Sequence, residues 1–132
     1  MEIKFVDGQH EKEFASLAAK YSVPMGDRDR VLLLYVLAGV NVFSRGVDRD
    51  VLRFRSSDGS VVIKEDALNH SWVTSSDGRM IRLAFHLFSW LMPTVEAGDS
   101  ALNYTPIGLL SGLDERRTTV AYEALRLLRD WY

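Results

Sequence analysis

Two blocks of this 132-residue chain are apolar on most sides, and several other segments are apolar on one side only. The first block is residues 80–92, where Arg82, His86 and Ser89 are the only polar members. Their i, i+4, i+7 spacing gathers them into one stripe of a 3.6-residue helix, and Arg79 extends that stripe by a turn. Every other direction around the axis is apolar, so the segment is predicted to be a buried central helix over about 77–92. One of Thr74, Ser75 or Ser76 caps it, and Pro93 follows its end. The second block, 31–38, has no polar group except the Tyr35 hydroxyl. Asp27 before it and Gly39 after it predict a helix from Arg28 to about Ala38, packed against the first.

One-sided patterns flank these blocks. Phe14, Leu17, Ala18 and Tyr21 recur at helical spacing within 8–21, with Asp7 as the cap and Phe5 placed to staple the first turn. This reads as an amphipathic surface helix, ended by Ser22, Val23 and Pro24. Asp114 caps a last helix from Glu115 to about Trp131, whose inward face is Val120, Ala121, Ala124, Leu125, Leu128 and Trp131. Short turns are expected at 41–46 and 64–69, an extended anchor at Trp72 and Val73, a polar loop at 94–100, and a short helix at 107–110 behind Thr105 and Pro106. Between 51 and 63 the period becomes two. β-Branched residues flank Asp58 and Gly59, which is a hairpin signal. The predicted fold is mainly α (α+β): four or five helices around the buried central helix, with one small β-hairpin at about 51–63. One globular domain spans 1–132.

Composition narrows the function classes. The formal net charge is −2, so no overall field favours nucleic acid. Twelve of the sixteen basic residues are Arg, the type that suits carboxylate, phosphate and protein-interface contacts. The absence of cysteine excludes disulfides, thiol catalysis and thiolate metal sites. The N-terminal segment has no apolar signal region, and the longest apolar run, 31–40, is far below the ~20 residues of a membrane span. A cytoplasmic protein with no membrane association is the expectation.

Candidate chemistry is sparse. His10, His70 and His86 show no metal-binding spacing; His10 with Glu13 at i+3 is half a site at best, and a solvated helix face is the simpler account. Asp27/Asp29 and Asp48/Asp50 alternate with Arg, the pattern of a solvated or self-paired surface. No nucleophile elbow, Walker loop or dinucleotide fingerprint occurs, so no catalytic residue, metal or cofactor is assigned. The sharpest candidate is an anion site, with Arg79 and Arg82 gripping a carboxylate or phosphate and His86 orienting it. Internal ion pairing with Glu65, Asp66 or Asp114 is the simpler account of the same stripe. Arg116 and Arg117 stand at the N-terminal turn of the last helix, where the dipole disfavours cations, so an acidic group in this chain or a partner must compensate.

Residues 27–39, the run Arg82 to Leu87, and 110–114 leading into 121–128 together resemble a family of small uncharacterised proteins from Firmicutes genomes, plasmids and prophages. Its pattern carries asparagine where this chain has His86 and Ser89. The resemblance implies a small single-domain protein tied to mobile elements, of a kind that binds a host or defence protein. The functional expectation is therefore a non-enzymatic binding protein, a phage or mobile-element inhibitor of a bacterial defence system with a bacterial protein as partner. The alternative is a small anionic ligand or nucleotide bound by Arg79, Arg82, His86 and Arg116. A hydrolase built on His10 or His86 ranks third. Trp131 and Tyr132 either cover the core or form a homodimer contact.

Overall fold

The structure, a computed structural model, describes residues 3–89 and 112–131. Among these are five helices and one two-stranded sheet: α1 (Gly8–Lys20), α2 (Arg28–Ala38), α3 (Asp48–Val51), β1 (Leu52–Phe54), β2 (Val61–Ile63), α4 (Ser75–Ser89) and α5 (Glu115–Trp131). The expected loop at 94–100 and helix at 107–110, with Pro93, lie outside the described residues. No helix among those described is long and apolar enough to cross a membrane.

Helix α2 is the most enclosed element. Every residue from Val31 to Ala38 is inaccessible to solvent, and Val40 and Val42 continue the core beyond its end. A helix with no polar face must be covered all round. Helices α1, α4 and α5 and strand β2 pack on it, α4 most extensively. Helix α4 presents Met80, Ile81, Ala84, Phe85 and Leu87 to the core and keeps a half-buried stripe of Arg79, Arg82, His86 and Phe88. The centre of the fold is thus the 31–38 block, with 80–89 as its principal partner.

All four long helices begin with a side-chain cap. Asp7 Oδ1 accepts from His10 N at 2.8 Å, Asp27 Oδ1 from Arg30 N at 3.4 Å and Asp114 Oδ1 from Arg117 N at 2.8 Å. At α4, Thr74 and Asp77 form a reciprocal capping box, each side chain accepting from the other's amide at 3.1 Å. On α5 the buried stripe is Val120, Ala121, Ala124 and Leu127, whereas Leu125 is exposed, contrary to expectation. Leu127 lies i+3 from Ala124 and so continues the stripe; Leu125 lies outside it. Phe5 does pack near the first turn of α1, its ring 5.4 Å from those of both His10 and Phe14.

Strands β1 and β2 pair antiparallel with Leu52 opposite Ile63, Arg53 opposite Val62 and Phe54 opposite Val61. Gly59 takes the left-handed conformation in the turn (φ 72°), and Asp58 accepts from Ser60 N at 3.0 Å. Such a hairpin is marginal alone. Arg30 of α2 secures it by donating Nε to the Val61 carbonyl at 2.8 Å and Nη2 to Ser60 Oγ at 3.0 Å.

Helix α5 crosses the C-terminal end of α2 closely. A Cβ added at Gly39 would stand 3.0 and 3.2 Å from the Val120 methyls and 3.1 Å from the Val36 carbonyl. Gly39→Ala is expected to cost ~1–3 kcal/mol by overpacking. In a denaturant-unfolding double-mutant cycle, adding Val120→Ala recovers part of that loss; strict additivity of the two costs would refute the contact.

Candidate functional site

Three of the four residues expected to hold an anion stand on one helix, and the fourth, Arg116, stands on another. Arg79, Arg82 and His86 lie half-buried along one face of α4. Arg79 Nη1 donates to Ser75 Oγ at 3.2 Å, and its guanidinium lies 3.1 Å from where a Cβ of Gly112 would stand. Arg82 lies the same way over Gly78, at 3.3 Å from that residue's Cβ position. The two glycines leave room for the two guanidiniums against the helix. The Nε2 of His86 is buried and takes no hydrogen bond among the described residues. The side chain of Ser89 lies outside them.

Arg116 belongs to a different cluster. It forms a two-pronged bond to Asp7, Nε to Oδ2 at 2.8 Å and Nη2 to Oδ1 at 3.2 Å, and donates Nη1 to the Gly39 carbonyl at 3.4 Å. One carboxylate therefore caps α1 and holds the first turn of α5. The Arg116 hydrogen bonds and the His10 amide depress the Asp7 carboxyl to a pKa of about 2. The acidic compensation required at the start of α5 comes from this chain: Asp7 for Arg116, and Asp77 and Asp114 for Arg117.

The most concentrated polar cluster is one the sequence reading missed. Asp77, only 1% exposed, accepts from Arg45 Nη1 and Nη2 at 3.3 and 3.4 Å and from Arg117 Nη2 at 3.3 Å, besides its capping bond. Arg45 also lies 4.9 Å from the Trp72 ring centroid and donates to the Val40 carbonyl at 3.2 Å. Trp72 in turn donates Nε1 to Asp50 at 2.8 Å and stacks against His70. The extended anchor expected at Trp72 is instead a turn held by these contacts. The cluster joins the 41–46 turn, α4 and α5. Its partners are 32 and 40 residues from Asp77, so no local spacing marks it.

Three further groups depart from a solvated surface. His10 is fully buried. Its Nδ1 accepts from Val6 N at 3.2 Å, so the proton sits on Nε2, which donates to the Tyr35 carbonyl at 2.9 Å. That carbonyl is left over because α2 tightens at its end, where Gly39 N bonds to Val36 O. Burial lowers the pKa of His10 and keeps the ring neutral. The signal was present in the sequence: His10, Phe14, Leu17 and Tyr21 share one stripe at i, i+4, i+7 and i+11. Glu13, also buried, accepts from Phe43 N at 3.2 Å and Ser44 N at 2.9 Å and so holds the 41–46 turn. Asp48 is buried between Lys20, at 2.6 Å, and the Tyr21 hydroxyl. Burial works against its ionisation, but those two hydrogen bonds prevail and leave the carboxyl below its ordinary range. Among the Arg-alternating aspartates Asp27 is paired within its own run, with Arg30 at 3.0 Å.

The outer surface offers a cavity of about 600 Å³ bounded by Ile3, Phe5, Met25, Arg28, Asp130 and Trp131. Trp131 neither fills the core nor is free of it: Arg28 lies 5.9 Å from its ring centroid and donates to its carbonyl at 2.7 Å. Phe54 and Phe43 are 52% and 38% exposed. Tyr21 packs 5.2 Å from the Phe54 ring, and the Lys20 ammonium sits 5.6 Å from Tyr21 and 5.8 Å from Phe43. The buried Tyr21 ring thus links the exposed Phe54 to the Lys20 ammonium, which in turn faces the exposed Phe43.

Removing Asp77 leaves Arg45 without its carboxylate and Arg117 with Asp114 alone. Asp77→Ala is expected to destabilise the fold by on the order of 2–3 kcal/mol, below the ~3–5 kcal/mol of a fully buried pair because both arginines keep some water contact. Chemical denaturation measures this, and a loss under ~0.5 kcal/mol, the range of an ordinary surface change, would show the cluster to be incidental. His10 gives a pH dependence of known sign. Its folded pKa lies below the ordinary 6.5, so the unfolded chain takes up a proton first as pH falls. The stability it contributes is complete above 6.5 and is lost as pH falls toward the folded pKa. In melting curves the loss of Tm on acidification below that point should be smaller in His10→Gln than in the parent; equal slopes would mean that the imidazole titrates freely.

A family model, that of a family of unknown function (DUF6075), matches residues 1–127. No curated protein and no solved structure matches the chain. With nearly its whole length inside the match, the chain belongs to the DUF6075 family.

Proposed function

We propose that this chain is a non-enzymatic binding protein that acts by occupying the surface of a bacterial protein. The exposed rings of Phe54 and Phe43, the latter beside the Lys20 ammonium, carry this reading, because large apolar side chains left in water near basic groups are the usual anchors of protein interfaces. The buried polar groups support it by their use. The nitrogens of His10 and the carboxylates of Glu13, Asp48 and Asp77 are engaged in capping or joining elements of the chain itself. The finer reading, an inhibitor of a defence system carried by a phage or mobile element and working in the cytoplasm, rests on the family resemblance drawn from the sequence. A homodimer through the Trp131 end belongs to the same proposal.

A second reading has one observation in its favour. The buried, unbonded Nε2 of His86 beside Arg79 and Arg82 fits an anionic ligand or nucleotide on α4.

Two measurements decide between them. Affinity capture from a bacterial lysate followed by size-exclusion should yield a stoichiometric complex, weakened when Arg49, Arg53 and Arg129 are reversed in charge one at a time. Absence of any such complex defeats the first reading. Nucleotides and inorganic phosphate screened by thermal shift address the second: a ligand at a hundredfold over its Kd adds ~2.7 kcal/mol and raises Tm, while a flat screen removes it.

A further inference from the structure

We infer that β1 receives an extended, acidic segment of a protein partner as a third strand. The inference rests on the protein-binding reading above and adds where the partner docks and by what chemistry. Two bonds fix which backbone groups face outward. Lys64 N donates to the Val51 carbonyl at 2.8 Å, and Arg55 N donates to the Ser60 carbonyl at 2.7 Å, on either side of the Arg53–Val62 pair. An antiparallel ladder bonds through every second residue, so Arg53 turns its amide and carbonyl toward β2 while Leu52 and Phe54 turn theirs away. The Leu52 amide is taken by the Asp48 carbonyl. The Leu52 carbonyl and both backbone groups of Phe54 take no hydrogen bond among the described residues. Leu52 is buried, so the outward amide and carbonyl of Phe54, a residue 52% exposed, are the donor and acceptor that an added strand meets. The opposite edge of the sheet is not equivalent: the Val61 carbonyl is bound by Arg30, and β2 lies against α2.

Side chains specify the occupant. On one face of β1, Phe54 leads onto the row of Tyr21, Lys20 and Phe43. On the other face, Arg53 is exposed and makes no ion pair among the described residues, as does Arg49 one turn before the strand. Glu65 and Asp66 share a shallow hollow with Arg53 and Lys64 without reaching ion-pair distance of either. An added strand that alternates acidic and apolar residues satisfies both faces. A second copy of this chain does not, because β1 against β1 brings Arg53 and Arg55 toward their own copies, and like charges on facing strands repel.

The probe is an acetylated, amidated pentapeptide of sequence Glu-Val-Glu-Val-Glu, with the Lys-Val-Lys-Val-Lys peptide as its counterpart, titrated into the isotope-labelled protein. The acidic peptide should move the Phe54 amide resonance and slow that amide's hydrogen exchange, leaving the already bonded Arg53 amide unchanged. The basic peptide should do neither. Phe54→Pro deletes the outward donor but no ladder bond, so it should abolish the response while the Val62 amide stays protected. Arg53→Glu, which leaves the backbone alone, should reverse the preference between the two peptides even if the proline variant fails to fold. Shifts centred on the cavity at Trp131, indifference to peptide charge, self-association of the protein, or no response up to millimolar peptide would each overturn the inference. None of those outcomes touches the binding reading, which falls only if no partner complex is recovered.

Discussion

The structure depends on the burial of a helix that has no polar side. Eight consecutive apolar residues of α2 are withdrawn from water, each large one contributing ~1.5–3 kcal/mol when fully buried. A stripe would need one neighbour; a cylinder needs several. Helices α1, α4 and α5 therefore converge on α2 from separate parts of the chain, and the hairpin fills part of the remaining circumference. Closing elements around a common axis also pulls their ends inward, and the polar groups at those ends must find partners in the interior.

The buried polar residues answer that need. Asp7 caps α1 and bonds the first turn of α5; Asp77 caps α4 and receives arginines from the 41–46 turn and from α5. Glu13 holds the same turn from beneath, and His10 takes the carbonyl that α2 releases where it tightens. Each joins a local task, ending a helix or a turn, to a long-range one. Side chains used this way have their geometry fixed by the fold.

Much of the fold was legible in the sequence because its signals are local. Asp7, Asp27 and Asp114 before apolar periodicity marked three helix starts, and Asp58-Gly59 between β-branched residues marked the hairpin. Which of two almost wholly apolar helices lies at the centre was not legible, since both patterns demand enclosure and neither ranks it. The sequence does not separate Leu125, which is exposed, from Leu127, which is buried, because a stripe continued from Ala124 can step by one residue or by three. The candidate site was legible only as far as one helix extends. Arg79, Arg82 and His86 share a face by spacing alone, but the capture of Arg116 by Asp7, 109 residues away, follows from packing. The burial of His10 is legible from its place in an apolar stripe, although its polarity alone suggests an exposed residue.

The double duty of Asp77 bears on how the chain folds. With α4 formed but undocked, its capping carboxylate would stand without either arginine; with the arginines gathered first, there would be no ordered carboxylate to receive them. Starting that helix and fastening it to the 41–46 turn and α5 are thereby a single step, and intermediates that separate them gain little. Coupling of this kind sharpens an unfolding transition toward all-or-none, so that α4 and α5 should detach together as one unit when the domain opens from within.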